Sequence, residues 1–164
     1  MTRLTQEQTI AAFGDPNAYI NPDGTVNQKW EKILGSAALP APLPLSWDLS
    51  RSVSKFKCHR LLVERFEAAF QKAHVNPYVW DTIGSFGGCY AFRANRKNHR
   101  VLSTHAWGIA VDIDVADNEQ GHAPEMDPVI IAAFESEGFL WGGTFHGAAV
   151  DGMHFEFADL SRLA

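Results

Sequence analysis

The stretch 103-STHAWGIAVDID-114 combines a strand-like pattern with side chains that are costly to bury. Over residues 109–114, Ile and Val alternate with Ala and Asp, which is typical of a strand that turns one face to the core. A His or Asp buried in such a setting needs a partner, because an unpaired buried charge costs several kcal/mol. A metal ion would supply a common partner for His105, Asp112 and the later His154.

Two more segments show the same alternation. They are 89-CYAFR-93 and 153-MHFEF-157. In the second segment, His154 and Glu156 share the face opposite the apolar side chains. Each predicted strand thus has an apolar side and a polar side, which predicts an antiparallel sheet with a cleft on one face.

Helical patterns lie before and after these strands. Residues 5–13 are predicted to form a helix that Thr5 can cap, and residues 26–34 and 128–136 are predicted to form two more. Residues 55–73 carry an apolar stripe and are predicted to be the main core helix. The members of this stripe are Leu61, Leu62, Phe66, Ala69 and Phe70. The proline-rich residues 39–50 predict an extended loop, because proline cannot donate a backbone hydrogen bond.

The length and composition predict a single folded domain. The chain has 164 residues, of which 46% are hydrophobic, enough for a real core. We therefore expect one α+β domain over residues 1–164, with a helical and proline-rich arm over 1–54 and a core over 55–158. We expect a monomer.

Charge and cysteine content exclude several classes of function. The formal net charge is −5 without a Lys/Arg block, which argues against a nucleic-acid binder. The local basic cluster over residues 93–100 is interpreted as a solvated loop. Cys58 and Cys89 cannot build a disulfide framework and are expected to be reduced thiols.

No membrane insertion is expected. No apolar run approaches the roughly 20 residues of a spanning helix. The first ten residues, MTRLTQEQTI, lack the apolar core of a secretory signal. We therefore expect synthesis in the cytoplasm and, for a target outside it, delivery by other means.

His105, Asp112 and His154 are donors that suit zinc. Catalytic zinc sites combine three such ligands with an open fourth position, where water is activated for attack. Taken singly, each histidine is better explained as a hydrogen-bonded structural residue, and the chain has seven histidines. The prediction depends on the three residues meeting.

Two motifs together resemble the zinc DD-peptidase family. They are S-x-H-x-x-G-x-A-x-D over residues 103–112 and D-x-x-H-F-E over residues 151–156. This family includes VanY-type D-alanyl-D-alanine carboxypeptidases and phage L-alanyl-D-glutamate endopeptidases. The segments 87-GGCYAFR-93 and 141-WGG-143 resemble the phage-type branch. The resemblance covers about residues 84–158 and implies a hedgehog/DD-peptidase fold, a small antiparallel sheet backed by helices with the metal cleft on one face.

The resemblance also implies roles for single residues. It assigns His105, Asp112 and His154 as Zn²⁺ ligands and Asp151 as the general base. The alternative for Asp151 is a turn-capping role beside Gly152. Arg93 matches an arginine that contacts substrate, and its guanidinium can bind a carboxylate or steady an oxyanion; the alternative is a surface salt bridge.

Five more residues are candidates near the site. Glu156 is a rival base, although orienting a ligand is the better explanation because it is so close to His154. Asp114 has the same ambiguity beside Asp112. Ser103 is expected to hydrogen-bond near His105 or to contact substrate. Trp141, like Trp107, either walls the cleft or packs in the core.

The implied function is a zinc peptidase that hydrolyses peptidoglycan stem peptides. The expected form is a phage-type endolysin that cuts between L-Ala and D-Glu and acts on the cell wall after release. A D-alanyl-D-alanine carboxypeptidase remains open, because Arg93 could recognise either carboxylate. A non-catalytic zinc-binding module and a component carried on a phage particle also remain open.

Overall fold

A mixed six-stranded sheet organises the part of the chain that the structure describes. The computed structural model describes residues 1–23, 25–96 and 100–163. The strands are β1 (Leu34–Leu45), β2 (Asp48–His59), β3 (Phe86–Gly88), β4 (Ala110–Ile113), β5 (Phe139–Trp141) and β6 (His154–Phe157). Their order in space is β2-β1-β3-β4-β6-β5, and neighbours pair antiparallel except β1 and β3, which pair in parallel.

Five α-helices accompany the sheet in the described ranges. They are α1 (Gln6–Phe13), α2 (Gln28–Glu31), α3 (Val63–Ala73), α4 (Pro77–Thr82) and α5 (Pro128–Glu135). Thr5 caps α1 as predicted: its hydroxyl accepts from the Gln8 backbone, while the Gln8 side chain accepts from the Thr5 backbone. Asp127 caps α5 by accepting from the Val129 backbone, and Pro128 occupies the first turn.

An aromatic layer joins α3 and α5 to one face of the sheet. The Phe134 ring of α5 stacks on Phe155 of β6 at a centroid distance of 4.4 Å. The Phe66 ring of α3 lies 4.6 Å from that of Phe139 in β5. Because side chains alternate along a strand, His154 in β6 points to the face opposite Phe155. The helices thus bury the apolar face and leave the polar side chains on the other.

The α+β class is confirmed, while the sheet departs from the purely antiparallel one predicted. The parallel contact is confined to one residue pair, Leu45 of β1 with Phe86 of β3. Residues 109–114 and 153–157 contain β4 and β6, as predicted. Residues 89–93 are wrong as a strand, because β3 ends before them at Gly88. Of the helix predicted over 26–34, the structure retains α2.

The prediction of an extended loop over residues 39–50 is wrong. These residues belong mostly to β1 and β2, which pair as a long antiparallel hairpin. The register of this pairing shifts between Ala38 and Leu43, where Pro40 and Pro42 lie. Proline is tolerated there because an irregular stretch needs no backbone donor.

The main core helix is shorter than predicted. Residues up to His59 continue β2, and α3 begins at Val63. In β2, Lys55 and Lys57 are exposed while Phe56 and Cys58 are buried, an alternation that a strand produces and a helix does not. Leu61 was expected in the apolar stripe, but it is 50% exposed. The predicted boundary between residues 54 and 55 falls within β2.

The N-terminal residues share the core. Phe13 and Trp30 are 4% and 1% exposed. Both cysteines are free and buried, as expected for reduced thiols. Within the described residues, the structure has no helix long and apolar enough to cross a membrane.

Candidate metal centre

The pairing of β4 with β6 places Asp112 directly opposite His154. Opposite residues on antiparallel strands have side chains on the same face at close range. The Nδ1 atom of His154 lies 2.9 Å from Oδ1 of Asp112. Two motifs that are far apart in the sequence thus meet through strand register.

A 3₁₀ turn over Thr104–Trp107 carries His105 to the same place. The Ser103 hydroxyl accepts from the His105 backbone at 3.4 Å, and Gly108 ends the turn with a φ of 67°. A Cβ atom on Gly108 would lie 2.9 Å from the backbone nitrogen of His59. Glycine is therefore required both by the left-handed backbone and by the close approach to β2.

Backbone and side-chain acceptors orient both imidazoles. His105 Nδ1 lies 2.6 Å from the Cys89 carbonyl oxygen, which can only accept, so Nδ1 carries the proton. His154 Nε2 lies 3.1 Å from Oε2 of Glu156 and can donate to that carboxylate. The nitrogens left with a free lone pair are Nε2 of His105 and Nδ1 of His154. Such partners on the far nitrogen are usual for metal-binding histidines.

The three donor atoms fit a zinc ion. His105 Nε2 lies 3.2 Å from Asp112 Oδ1 and 3.3 Å from His154 Nδ1. A tetrahedral site with zinc–ligand distances of about 2.0–2.1 Å separates its ligand atoms by about 3.3 Å. His105, Asp112 and His154 form a group of the described residues that could hold a metal ion. We call these three residues the metal cluster.

The electrostatics of the metal cluster favour a cation. Burial alone would lower the pKa of His154, but hydrogen bonds and charge from Asp112 and Glu156 raise it to about 10. Burial would raise the pKa of Asp112, but the two histidines hold it well below its usual range. Two carboxylates flank His154, so positive charge is stabilised here.

Asp151 lies beside the metal cluster with one unsatisfied oxygen. Its Oδ2 accepts a hydrogen bond of 3.0 Å from Gln120 Nε2. Its Oδ1 is buried and has no hydrogen-bond partner among the described residues. Burial raises the pKa of Asp151, His154 opposes this, and the charge of Asp112 adds to it. A carboxylate with a free oxygen and a raised pKa is chemically able to take part in proton transfer.

A single pocket joins the metal cluster to Asp151 and Arg93. The pocket is also lined by Arg3, Asn95, Arg96, Ser103, Thr104, Gln120, Phe145, Ala149 and Met153. Three of its lining residues are arginines, and one of them, Arg3, is paired with the buried carboxylate of Glu156. The guanidinium groups of Arg93 and Arg96 are of a type that binds substrate carboxylates.

The remaining predicted residues either line the pocket or stabilise the chain near it. Ser103 lines the pocket and also caps the turn of His105. Trp141 is half-buried, and its Nε1 donates to the Gly152 carbonyl at 2.7 Å, which steadies the turn after Asp151. Trp107 is 1% exposed and packs in the core. The Asp114 carboxylate accepts a hydrogen bond from Asn118 Nδ2 at 2.8 Å.

Sequence reasoning missed several pocket residues. Arg3, Gln120 and Phe145 belong to no motif, and their places in the pocket depend on chain folding. Thr104 lies within the first motif, and its Oγ1 donates to Glu156 Oε2 at 3.3 Å. A sequence signal was available for Thr104 because it adjoins His105.

Comparison with known proteins agrees with the site. A family model described as D-alanyl-D-alanine carboxypeptidase matches residues 96–157. The comparisons with curated proteins and with solved structures found no match. The matched range contains the metal cluster and Asp151, and together with this cluster it supports a zinc peptidase of peptidoglycan. The resemblance of this part of the chain to the zinc DD-peptidase family is thereby confirmed.

Proposed function

We propose that the chain is a zinc-dependent peptidase that hydrolyses peptidoglycan stem peptides. The observation that carries this proposal is the meeting of the metal cluster with Asp151 in one pocket, within the range that matches the peptidase family. His105, Asp112 and His154 would hold the zinc ion. A zinc ion in such a site acts as a Lewis acid and lowers the pKa of water.

Asp151 is the proposed general base. It takes a proton from the attacking water through its free oxygen and returns the proton to the leaving amine. Gln120 holds the other oxygen and thereby limits rotation of the carboxylate. Glu156 is the weaker candidate for the base, because both of its oxygens already accept from Arg3 and it is 2% exposed.

Arg93 is the proposed substrate contact. It lines the pocket, and its Nη1 donates to the Ala94 carbonyl oxygen at 3.5 Å. Such a long bond leaves the guanidinium able to turn to a peptide carboxylate or to the charge that develops on the attacked carbonyl.

The bond cleaved is proposed to lie between L-Ala and D-Glu, as in a phage-type endolysin. Support comes from the resemblance of residues 87–93 and 141–143 to the phage-type branch. The D-alanyl-D-alanine carboxypeptidase activity is the second candidate, because the matching family model carries that description. Arg93 could bind the D-Glu carboxylate in the first case and the free C-terminus in the second.

Mass spectrometry of fragments released from purified peptidoglycan tests the proposal. The zinc-loaded protein is expected to release fragments in a chelator-sensitive way. A new D-Glu amino terminus indicates the endopeptidase, and free D-Ala indicates the carboxypeptidase. If walls of several chemistries release nothing, the peptidase proposal fails and a binding module of the same fold becomes the better explanation.

The change Asp151→Asn tests the base. The amide keeps the shape and the contact with Gln120 but cannot accept the proton, so turnover is expected to fall by about 10²–10⁴-fold. Zinc content, measured by inductively coupled plasma mass spectrometry, is expected to stay at one ion per chain. Turnover within a few-fold of the parent would assign the base to another residue.

A further inference from the structure

The N-terminal segment reaches the metal centre through Arg3. The Nε and Nη2 atoms of Arg3 donate to the two oxygens of Glu156 at 2.6 and 2.9 Å. This is a bidentate pair, the strongest geometry between a guanidinium and a carboxylate. The Glu156 side chain is 2% exposed, so its charge depends on partners within the protein.

Glu156 connects Arg3 to a proposed metal ligand. Its Oε2 atom accepts from His154 Nε2 at 3.1 Å, and this contact leaves Nδ1 facing Asp112. A contact of this kind sets both the rotation and the tautomer of the imidazole. A Glu156 carboxylate that is free to rotate would lose this alignment.

The Phe145 ring contacts the guanidinium group of Arg3. The guanidinium carbon of Arg3 lies 4.4 Å from the centroid of the Phe145 ring, within cation–π range. The Phe145 and His154 rings are 6.3 Å apart. Arg3 thus has two carboxylate oxygens along its edge and an aromatic ring on its face, a setting that lysine cannot reproduce.

The segment that carries Arg3 is anchored to the turn that carries His105. The Gln6 side chain accepts from the Leu102 backbone at 3.0 Å. The Trp107 indole donates to the Gly14 carbonyl at 2.7 Å. Thr9 and Phe13 of α1 are buried. The position of Arg3 is therefore determined by the fold.

We propose that Arg3 is a positioning residue of the metal centre, which aligns the ligand His154 by clamping Glu156. Arg3 lies outside residues 96–157, the range of the family match. The N-terminal segment therefore completes a site whose ligands all lie within that range. This inference rests on the proposed zinc site. It adds Arg3 and Glu156 as residues that hold the ligand His154 in place.

Zinc affinity is the measurement that tests the role of Arg3. The dissociation constant is determined by competition with a chromophoric chelator for the full chain and for Arg3→Met. We expect about tenfold weaker binding for Arg3→Met, since removing the partners behind a ligand typically costs 10–100-fold. Arg3→Lys is expected to recover only part of the affinity, because one ammonium cannot form the two parallel bonds.

A double-mutant cycle with Glu156→Gln separates positioning from general stability. If Arg3 acts through Glu156, the double variant Arg3→Met/Glu156→Gln is expected to bind zinc less than twofold more weakly than Glu156→Gln alone. The matched control is Arg51→Met, an exposed arginine of β2, which is expected to leave the affinity unchanged. Circular dichroism shows whether each variant is folded. If Arg3→Met does not fold, the zinc affinity of Arg3→Lys is compared with the parent instead.

The outcomes distinguish this inference from the proposed function. An Arg3→Met affinity within twofold of the parent overturns the positioning role, and so does a full tenfold loss in the Glu156→Gln background. In both cases the parent still binds zinc and the proposed function stands. A parent chain that binds no zinc overturns the proposed metal centre itself.

Discussion

Two buried histidines show how neighbours decide what a residue can do. His154 and His59 are 7% and 3% exposed. Asp112 and Glu156 raise the pKa of His154 to about 10 against the effect of burial. Around His59, burial dominates and lowers the pKa to about 4. The His154 region is built for positive charge, whereas the His59 region is built for a neutral ring.

The packing explains this difference. The Phe13 ring meets the His59 ring edge to face at a centroid distance of 5.0 Å. The His59 Nδ1 atom accepts from the Leu61 backbone, a role that only an unprotonated nitrogen can fill. Burial of similar depth therefore yields a structural histidine at the end of β2 and a candidate ligand in β6.

The largest effect is expected from His154→Ala. This change removes one ligand and takes one partner from each of the buried carboxylates, while Glu156 keeps Arg3 and Asp112 keeps His105. We expect zinc binding to be lost and the free energy of unfolding to fall by about 3 kcal/mol. Zinc content and urea unfolding measure the two effects. His122→Ala is the control, since His122 is exposed; equal losses in both variants would contradict the comparison.

A pH-dependent loss of stability is expected from His59. Its pKa is about 4 when folded and about 6.5 when unfolded, so the unfolded chain binds more protons between these values. The contribution of neutral His59 to the free energy of unfolding is complete above pH 6.5. It is lost as the pH falls towards 4, which lowers the stability by up to about 3 kcal/mol. His59→Asn, which can still cap Leu61, is expected to flatten this decline in urea unfolding. Equal declines in both proteins would show that His59 does not titrate this way.

Zinc is expected to raise the free energy of unfolding by binding in the His154 region, and this increase is not expected to depend on His59. With free zinc at about 100 times its dissociation constant, the free energy of unfolding rises by about 2.7 kcal/mol. Thermal melting with and without a chelator measures this increase as a higher Tm. His105→Ala should abolish it and His59→Asn should retain it; an increase that survives in His105→Ala would place the zinc elsewhere.

Local sequence signals predicted the parts of the fold that depend on local physics. The Thr5 cap of α1, the Asp127 cap of α5 and the strands β4 and β6 follow from short-range hydrogen bonding and side-chain alternation. The wrong predictions include the strand over residues 89–93, which begins after β3 has ended, and the loop over residues 39–50, where the prolines obscured β1 and β2. Such a strand forms because its partner supplies the hydrogen bonds, and a partner is not visible in a local pattern.

The sequence by itself determined the donors of the proposed metal site and their motifs, because residue types and spacing state which chemistry is available. Only the tertiary structure decided that Asp112 lies opposite His154, since this depends on the register of β4 against β6. It also decided that Arg3 binds Glu156, 153 positions away. No local pattern encodes such a contact, because it exists only after the whole sheet and α1 have packed together.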